Sequence, residues 1–334
     1  MGPTQTRRLG KGGIEVSPLG MGCWAIGGPW TMTQPGEKPY AAGWGQTDDR
    51  VSIRAIHAAL DAGVALFDTA ASYGAGHSER VLGQALRGRR DQAVIATKFG
   101  HIVKEADQAV YPDDTQLLAN VRSDVETSLR RLGTDWIDIY QLHQAAYDPE
   151  LAVELRAVLE ELVLAGKIRW YGWSTDQVDR AGIFAKGEHC TSIQFQLNAL
   201  VDNPEMRRLC ADAQLAGIIR DPLHRGMLTG KFTSATTFPK DDIRSRTDYS
   251  SERIVRQLET VEPLQDLLTA GGRSMAQGAL AYIWALDPHL IPIPGFKTVA
   301  QVRENAGAMQ FGPLEPEAVA QIQAIVANRR PMEG

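Results

Sequence analysis

The sequence predicts an α/β protein assembled from eight strand-helix units, and three observations lead there. Eight short apolar runs recur along the 334 residues. Several intervening segments carry amphipathic helices with readable starts and stops, and chemically unusual polar residues fall at the C-terminal ends of the runs. An apolar run, a polar loop and a glycine-closed helix, repeated in this way, are the sequence form of β-α crossovers.

Before the first unit lies Arg8-Leu9-Gly10-Lys11-Gly12-Gly13-Ile14-Glu15-Val16, a strand, a glycine turn and a strand, expected as a hairpin closing the floor of a barrel. The first run is Leu19 to Cys23, and a Pro/Gly/Trp-rich insertion follows between Trp30 and Gly45. Thr47 is expected to cap the next helix ahead of Asp48 and Asp49, with Val51, Ala55 and Ala59 at i, i+4 spacing and Gly63 as the stop. Val64 to Phe67 and Ala93 to Ala96 read as strands. Leu117, Val121, Val125 and Leu129 form the next helical face, ended by Gly133. After the run Trp136 to Tyr140, Leu151, Leu155, Leu159 and Leu162 repeat the pattern up to Gly166. The runs Ile168 to Gly172, Ser192 to Phe195, Ile218 to Ile219 and Leu290 to Ile293 complete the set, with a polar loop between Thr229 and Ser251.

Eight such units build either an open doubly wound sheet or a closed barrel, and pattern alone does not separate the two. After the first strand, Gly20-Met21-Gly22-Cys23-Trp24-Ala25 lacks the third glycine of G-x-G-x-x-G, which weakens the open dinucleotide-binding reading. With no Pro/Ser-rich linker or low-complexity tract, residues 1–334 are expected to form one domain with its core at about 7–326.

Composition narrows function. A hydrophobic fraction of 43%, a charged fraction of 22% and a net charge of -5 are ordinary for a globular protein and give no electrostatic reason to expect nucleic acid. No apolar stretch approaches a membrane span and Met1 to Gly13 has no apolar signal core, so a cytoplasmic protein without a membrane partner is expected. Cys23, Cys190 and Cys210 share no metal or redox spacing, so neither a disulfide framework nor a metal site is expected.

The chemistry collects at strand ends: Asp68 after Leu66-Phe67, Lys98 after Ala96-Thr97, and His143 after Tyr140-Gln141-Leu142, with Tyr73 just beyond Asp68. Barrel enzymes keep their active sites at this end. A phenol with an ordinary pKa of about 10 is a poor acid at neutrality, but a nearby cation lowers it by roughly one to three units. Lys98 is the expected cation, Asp68 its counter-ion, and His143 the group that positions a carbonyl oxygen.

Phe67-Asp68-Thr69-Ala70-Ala71-Ser72-Tyr73-Gly74 resembles the F-D-T-A-x-x-Y-G signature of the aldo-keto reductases. The likeness continues through His77 to Gly83, Thr97-Lys98, Gln141 to His143, Gly172 to Ser174, Ile193-Gln194, Pro222 to Lys231, Ile293 to Lys297 and Glu304-Asn305. It is similar to the branch of long-chain bacterial members related to the channel β-subunits. It implies a (β/α)₈ barrel with long βα loops at the catalytic rim, a tetrad of Asp68, Tyr73, Lys98 and His143, and a nicotinamide cofactor, with NADPH preferred to NADH.

The same resemblance implies a cofactor site. Gly22, Cys23 and Trp24 match the first-strand contact, with Asp68 beside them. Ser174, Thr175 and Gln194 would hold the carboxamide, and Arg220 stands where many members place an aromatic ring. Asp221, Leu223, Arg225, Gly226, Lys231 and Arg244 would lie along the pyrophosphate. Gly295 and Gln301 stand where much of the family has a phosphate-reading lysine and arginine, with Lys297 and Thr298 nearby, and Glu304 and Asn305, expected at the start of the last helix, match adenine contacts. Trp24, Trp30 and Trp44, with Tyr73 and His143, are expected around a carbonyl substrate. Implied activity is reduction of an aldehyde or ketone, with two alternatives: oxidation of a sugar or secondary alcohol, or a nicotinamide-bound regulatory subunit. A homo-oligomer is left open.

Overall fold

Residues 6–112 and 115–329 are described in the computed structural model. The chain opens with β1 (Arg7–Leu9) and β2 (Ile14–Val16), which pair antiparallel. Eight parallel strands follow among the described residues: β3 (Gly20–Gly22), β6 (Leu66–Asp68), β7 (Val94–Phe99), β10 (Ile137–Leu142), β11 (Ile168–Ser174), β12 (Cys190–Gln196), β13 (Ala216–Arg220) and β14 (Leu290–Pro292). Each pairs with the next in this order. A parallel bridge from Gly22 to Gly295 and the Gly22 amide donating to the Pro294 carbonyl at 3.0 Å bring the two ends together. Glycine is needed at that seam, because a Cβ on Gly22 would stand 2.8 Å from the Ile293 carbonyl oxygen. The expected (β/α)₈ barrel is the observed fold.

Leu66, Ala96, Ile139, Ala216, Ile218, Ile291 and Ile293 form the interior layer, and Leu9 and Val16 of the hairpin pack into its floor. The opposite faces of these strands pack on the surrounding helices, which include α1 (Asp49–Asp61), α2 (His77–Ala85), α3 (Leu117–Leu132) and α4 (Pro149–Leu164). Gly133 takes up φ 64° and Gly166 φ 71°, the left-handed positions that end α3 and α4. No helix among the described residues is long and apolar enough to cross a membrane.

Three details differ from the sequence reading. Asp48, not Thr47, caps α1, accepting from the Arg50 amide at 2.8 Å; a carboxylate one residue nearer the first turn reaches the free amides. Glu304 and Asn305 sit in the second half of the helix Val299–Gly307, which begins at a capping box of Thr298 and Gln301 and is followed by another helix, Pro316–Arg329. Finally, the insertion after β3 is not irregular. It makes β4 (Thr31–Met32) and β5 (Tyr40–Ala41), which join β8 (His101–Lys104) and β9 (Ala109–Pro112) in a four-stranded sheet. Strands of two to four residues, with Thr31 paired to Ala109 far along the chain, leave too short an alternation to read.

Candidate active site

Asp68, Lys98, Gln141 and Arg220 lie two residues beyond Leu66, Ala96, Ile139 and Ile218 of the interior layer. Side chains alternate along a strand, so the same strand geometry that packs the apolar four inward turns the polar four inward one step nearer the C-terminal end. The register levels them: Lys98 stands beside Gln141, Ser174 beside Gln194, and Gly22 beside Asp68. Above them opens a cavity of about 560 Å³.

Lys98 is buried beneath that cavity and all three of its protons are used. It donates to Asp68 Oδ1 at 2.5 Å, to the Thr69 carbonyl at 2.9 Å and to the Tyr73 hydroxyl at 3.2 Å. The second oxygen of Asp68 accepts from Gln141 Nε2 at 3.1 Å and Gln194 Nε2 at 2.7 Å. Burial alone would lower the Lys98 pKa, but Asp68 and the Tyr73 hydroxyl outweigh it and the ammonium is held above its ordinary value. For Tyr73 the balance is reversed. Burial pushes its pKa up, and although Lys98 pulls it down as expected, the net shift is upward. The expectation of a lowered phenol therefore fails on the cost of putting a phenolate in an enclosed site.

Tyr73 is placed by the turn after β6, where its amide donates to Ala70 and Gly74 takes φ 63° against Gly27. Its ring lies parallel to Trp24 with centroids 5.7 Å apart and edge-on to His143, also at 5.7 Å. The His143 Nδ1 is 3.3 Å from the Ser72 hydroxyl. If that hydroxyl donates, the ring proton sits on Nε2. Burial first, then His101, Lys98 and Arg220, hold the His143 pKa well below its ordinary value, so the ring is neutral.

The cavity wall contains Trp24, Trp30, Trp44, Tyr73, His143, Gly22, Ser174, Gln194, Arg220, Asp221, Leu223, Arg225, Gly226, Arg244, Gly295, Lys297 and Gln301. Other expected residues are not part of the wall itself, although Asn305 donates to the Gly295 carbonyl at 3.4 Å. Cys23 is buried with its thiol pKa pushed up; Thr175 turns its hydroxyl to the Ala145 carbonyl at 2.8 Å. Lys231 is exposed, and Lys231, Thr298, Glu304 and Asn305 are not in the wall. Arg220 is paired with Asp176 at the cavity edge. The sequence reading missed Ser72 and His101; His101 lines the same cavity, with its ring centroid 4.9 Å from that of His143.

At the other end of the cavity the loop after β13 is unusual. Asp221, His224 and Arg225 have positive φ of 55°, 47° and 52°, followed by Gly226 at 98°. Non-glycine residues adopt such angles at a cost, and clusters of them mark sites where backbone is held for a ligand. Arg225, Arg244 and Lys297 bring three cations to this wall. Arg244 is ion-paired with Asp242 and lies over the Trp44 ring, and the Lys297 ammonium donates to the Trp44 carbonyl. A strained loop with cations suits an anionic dinucleotide, and the hydroxyl of Ser174 and amide of Gln194 suit its carboxamide, so the residues present fit the cofactor. Among the described residues, no three His, Cys, Asp or Glu side chains are grouped to hold a metal ion.

Comparisons with known proteins agree with the fold. The model of the aldo/keto reductase family matches residues 18–327. The NADH-specific methylglyoxal reductase of Escherichia coli K12 is 31% identical over 93% of this chain and 95% of its own. The NADP(+) aldo-keto reductase yakc of Schizosaccharomyces pombe is 28% identical over 91% of this chain and 86% of its own. Among solved structures, the glycerol dehydrogenase AKR11B4 from Gluconobacter oxydans superposes with a TM-score of 0.82 at 30% identity, covering 100% of this chain and 98% of that one.

Proposed function

The chain belongs to the aldo/keto reductase family of oxidoreductases, and from that premise we propose that it is a one-domain enzyme that reduces an aldehyde or ketone to the alcohol with NADPH. The observation that carries the reading is the contact of the Tyr73 hydroxyl with Lys98 Nζ at 3.2 Å, under a cavity shared with His143. NADPH, when bound, would supply the hydride. Tyr73, kept protonated by its burial, gives its proton to the carbonyl oxygen, and Lys98 stabilises the phenolate that remains. Asp68 holds Lys98 in place and charged, and the neutral His143 orients the carbonyl oxygen by donating from Nε2. Ser174 and Gln194 are the residues that would hold the carboxamide of the nicotinamide and fix the ring's orientation.

Arg225, Arg244 and Lys297 support NADPH over NADH, as does the relative named for NADP(+). The relatives named for methylglyoxal and for glycerol act on three-carbon molecules with oxygens on adjacent carbons, which sets the first substrates to try. The decisive experiment follows NADPH and NADH absorbance in both directions against methylglyoxal, trioses, sugars, quinones and polycyclic ketones. NADPH-driven reduction of at least one carbonyl, faster than the reverse oxidation under matched conditions, is expected. A protein that binds NADPH yet turns over nothing in either direction overturns the proposal.

A further inference from the structure

β7 carries Lys98 into the barrel, and three residues later the chain presents a second imidazole to the same cavity. Phe99 packs away from the cavity, its ring stacked on Tyr140 with centroids 4.4 Å apart. Gly100 then takes φ 104°, a conformation that an L side chain rarely adopts, and a Cβ there would also press on Leu117, Leu142 and Gln144. That glycine lets the chain reverse at once, so His101 opens β8 directly over the mouth. The hairpin of β8 and β9 is tied down from outside: Glu105 accepts from Arg131 at 2.8 Å and Arg80 at 2.5 Å, and Arg131 also donates to the buried Glu79 at 3.0 Å.

His143 therefore touches a ring on either side, Tyr73 and His101. Tyr73 to His143 is 5.7 Å between centroids and His143 to His101 is 4.9 Å, the two imidazoles crossing at 81°. Burial lowers the His101 pKa to about 4, so this ring too is neutral and carries one donor and one acceptor. Its Nδ1 is buried without a hydrogen-bond partner. A histidine ring can turn half a revolution to exchange that nitrogen with a carbon position at little change of shape. Buried polar groups left unpaired cost free energy, so such a group invites explanation. The indole nitrogens of Trp30 and Trp44 in the same wall are also buried without a partner, but an indole only donates, so of the three only the His101 ring offers both a donor and an acceptor to a polar substituent.

With the reacting oxygen held by Tyr73 and His143, His101 is the next ring along the wall of the same cavity. We propose that His101 is a specificity-determining residue that hydrogen-bonds an oxygen on the carbon beside the reacting carbonyl, so that small 2-oxo and 2-hydroxy carbonyl compounds are the preferred substrates. This rests on the carbonyl-reductase reading above and names the substrate class of that site.

The test compares methylglyoxal with propanal, which has the same three carbons and lacks the second oxygen, using wild type, His101→Phe and His101→Gln, with NADPH binding followed by fluorescence. The expected result is a fall of roughly tenfold or more in the methylglyoxal-to-propanal ratio of kcat/KM in His101→Phe, the size of one lost hydrogen bond in an enclosed site, seen mainly in KM. His101→Gln should recover part of the ratio, and all three proteins should bind NADPH alike. Differences in intrinsic reactivity cancel, because each aldehyde is compared across variants. A ratio unchanged in His101→Phe, or lowered as much by Gln as by Phe, overturns the assignment of His101 while leaving the reductase intact. Wild type that binds NADPH and reduces neither this pair nor any carbonyl of the broader panel overturns the reductase reading itself.

Discussion

The Lys98 ammonium lies 2.5 Å from Asp68 Oδ1 with the two side chains 0% and 3% exposed, a charge pair sealed inside the barrel. Removing one member leaves the other buried and uncompensated. Lys98→Met is therefore expected to lower unfolding free energy by about 3–5 kcal/mol, and Asp68→Asn in the same background to return part of it. Denaturant titrations of the single and double variants check this; additive losses would show that the two charges do not depend on each other.

Tyr73→Phe keeps the ring against Trp24 and removes only the hydroxyl near Lys98. Reductive kcat is expected to drop by roughly 10²–10⁴-fold, the usual worth of a general acid, with NADPH affinity retained. Ordinary turnover in this variant would mean that another group supplies the proton.

The upward shift of Tyr73 has a sign that can be read in a pH profile. The phenol stays protonated beyond its ordinary range, so reductive kcat/KM should show no loss attributable to this acid between roughly pH 7 and 9. A fall assigned to Tyr73 inside that interval would mean that Lys98 outweighs burial after all.

Stability should move the other way at low pH. His101 titrates at about 4 when folded against 6.5 in the unfolded chain, so between those values the unfolded state binds more protons and stability falls as pH falls. His143, also lowered, acts in the same direction. Tm should be lower near pH 5 than near pH 7, and His101→Phe should narrow that difference, as measured by thermal denaturation across roughly this interval.

Lys297 lines the cationic wall of the cavity beside Arg244. Lys297→Met is expected to weaken NADPH by roughly tenfold, the worth of a hydrogen bond to a charged group, and to weaken NADH less. Equal losses for both nucleotides, in direct binding measurements, would take the ammonium away from the additional phosphate.

Gly74 has φ 63°, and a Cβ on it would fall 2.0 Å from the Gly27 carbonyl oxygen. Gly74→Ala should cost at least about 1–2 kcal/mol from backbone conformation alone. Because Tyr73 is the preceding residue, kcat should fall with stability; a variant stable and active as wild type would show that the two loops separate freely.

The helical stops Gly133 and Gly166 and the eight apolar strand runs were legible because 3.6-residue and two-residue periodicities are local properties of the chain, whereas the barrel order of the strands came from the family resemblance and not from the pattern. Asp68, Lys98 and His143 were legible for the same reason: each stands at the end of an apolar run, and alternation places Asp68 and Lys98 two residues past an interior Leu66 or Ala96. The cap at Asp48 rather than Thr47 was a matter of which of two adjacent oxygen-bearing side chains reaches the first-turn amides, which depends on backbone angles. His101 carried no local signal, since it follows a buried strand into a hairpin whose partner strands come from another loop.

Sequence by itself determined the eight strand runs, the glycine stops and which side chains stand at the strand ends, since these follow from hydrophobic period and local backbone preference. Only the tertiary structure decided that Gly22 meets Gly295 at a closing seam, that burial outweighs Lys98 in setting the Tyr73 phenol, and that His101 crosses over His143. Closure, desolvation and the meeting of two loops depend on what the rest of the chain puts around a residue, and no window along the chain contains that information.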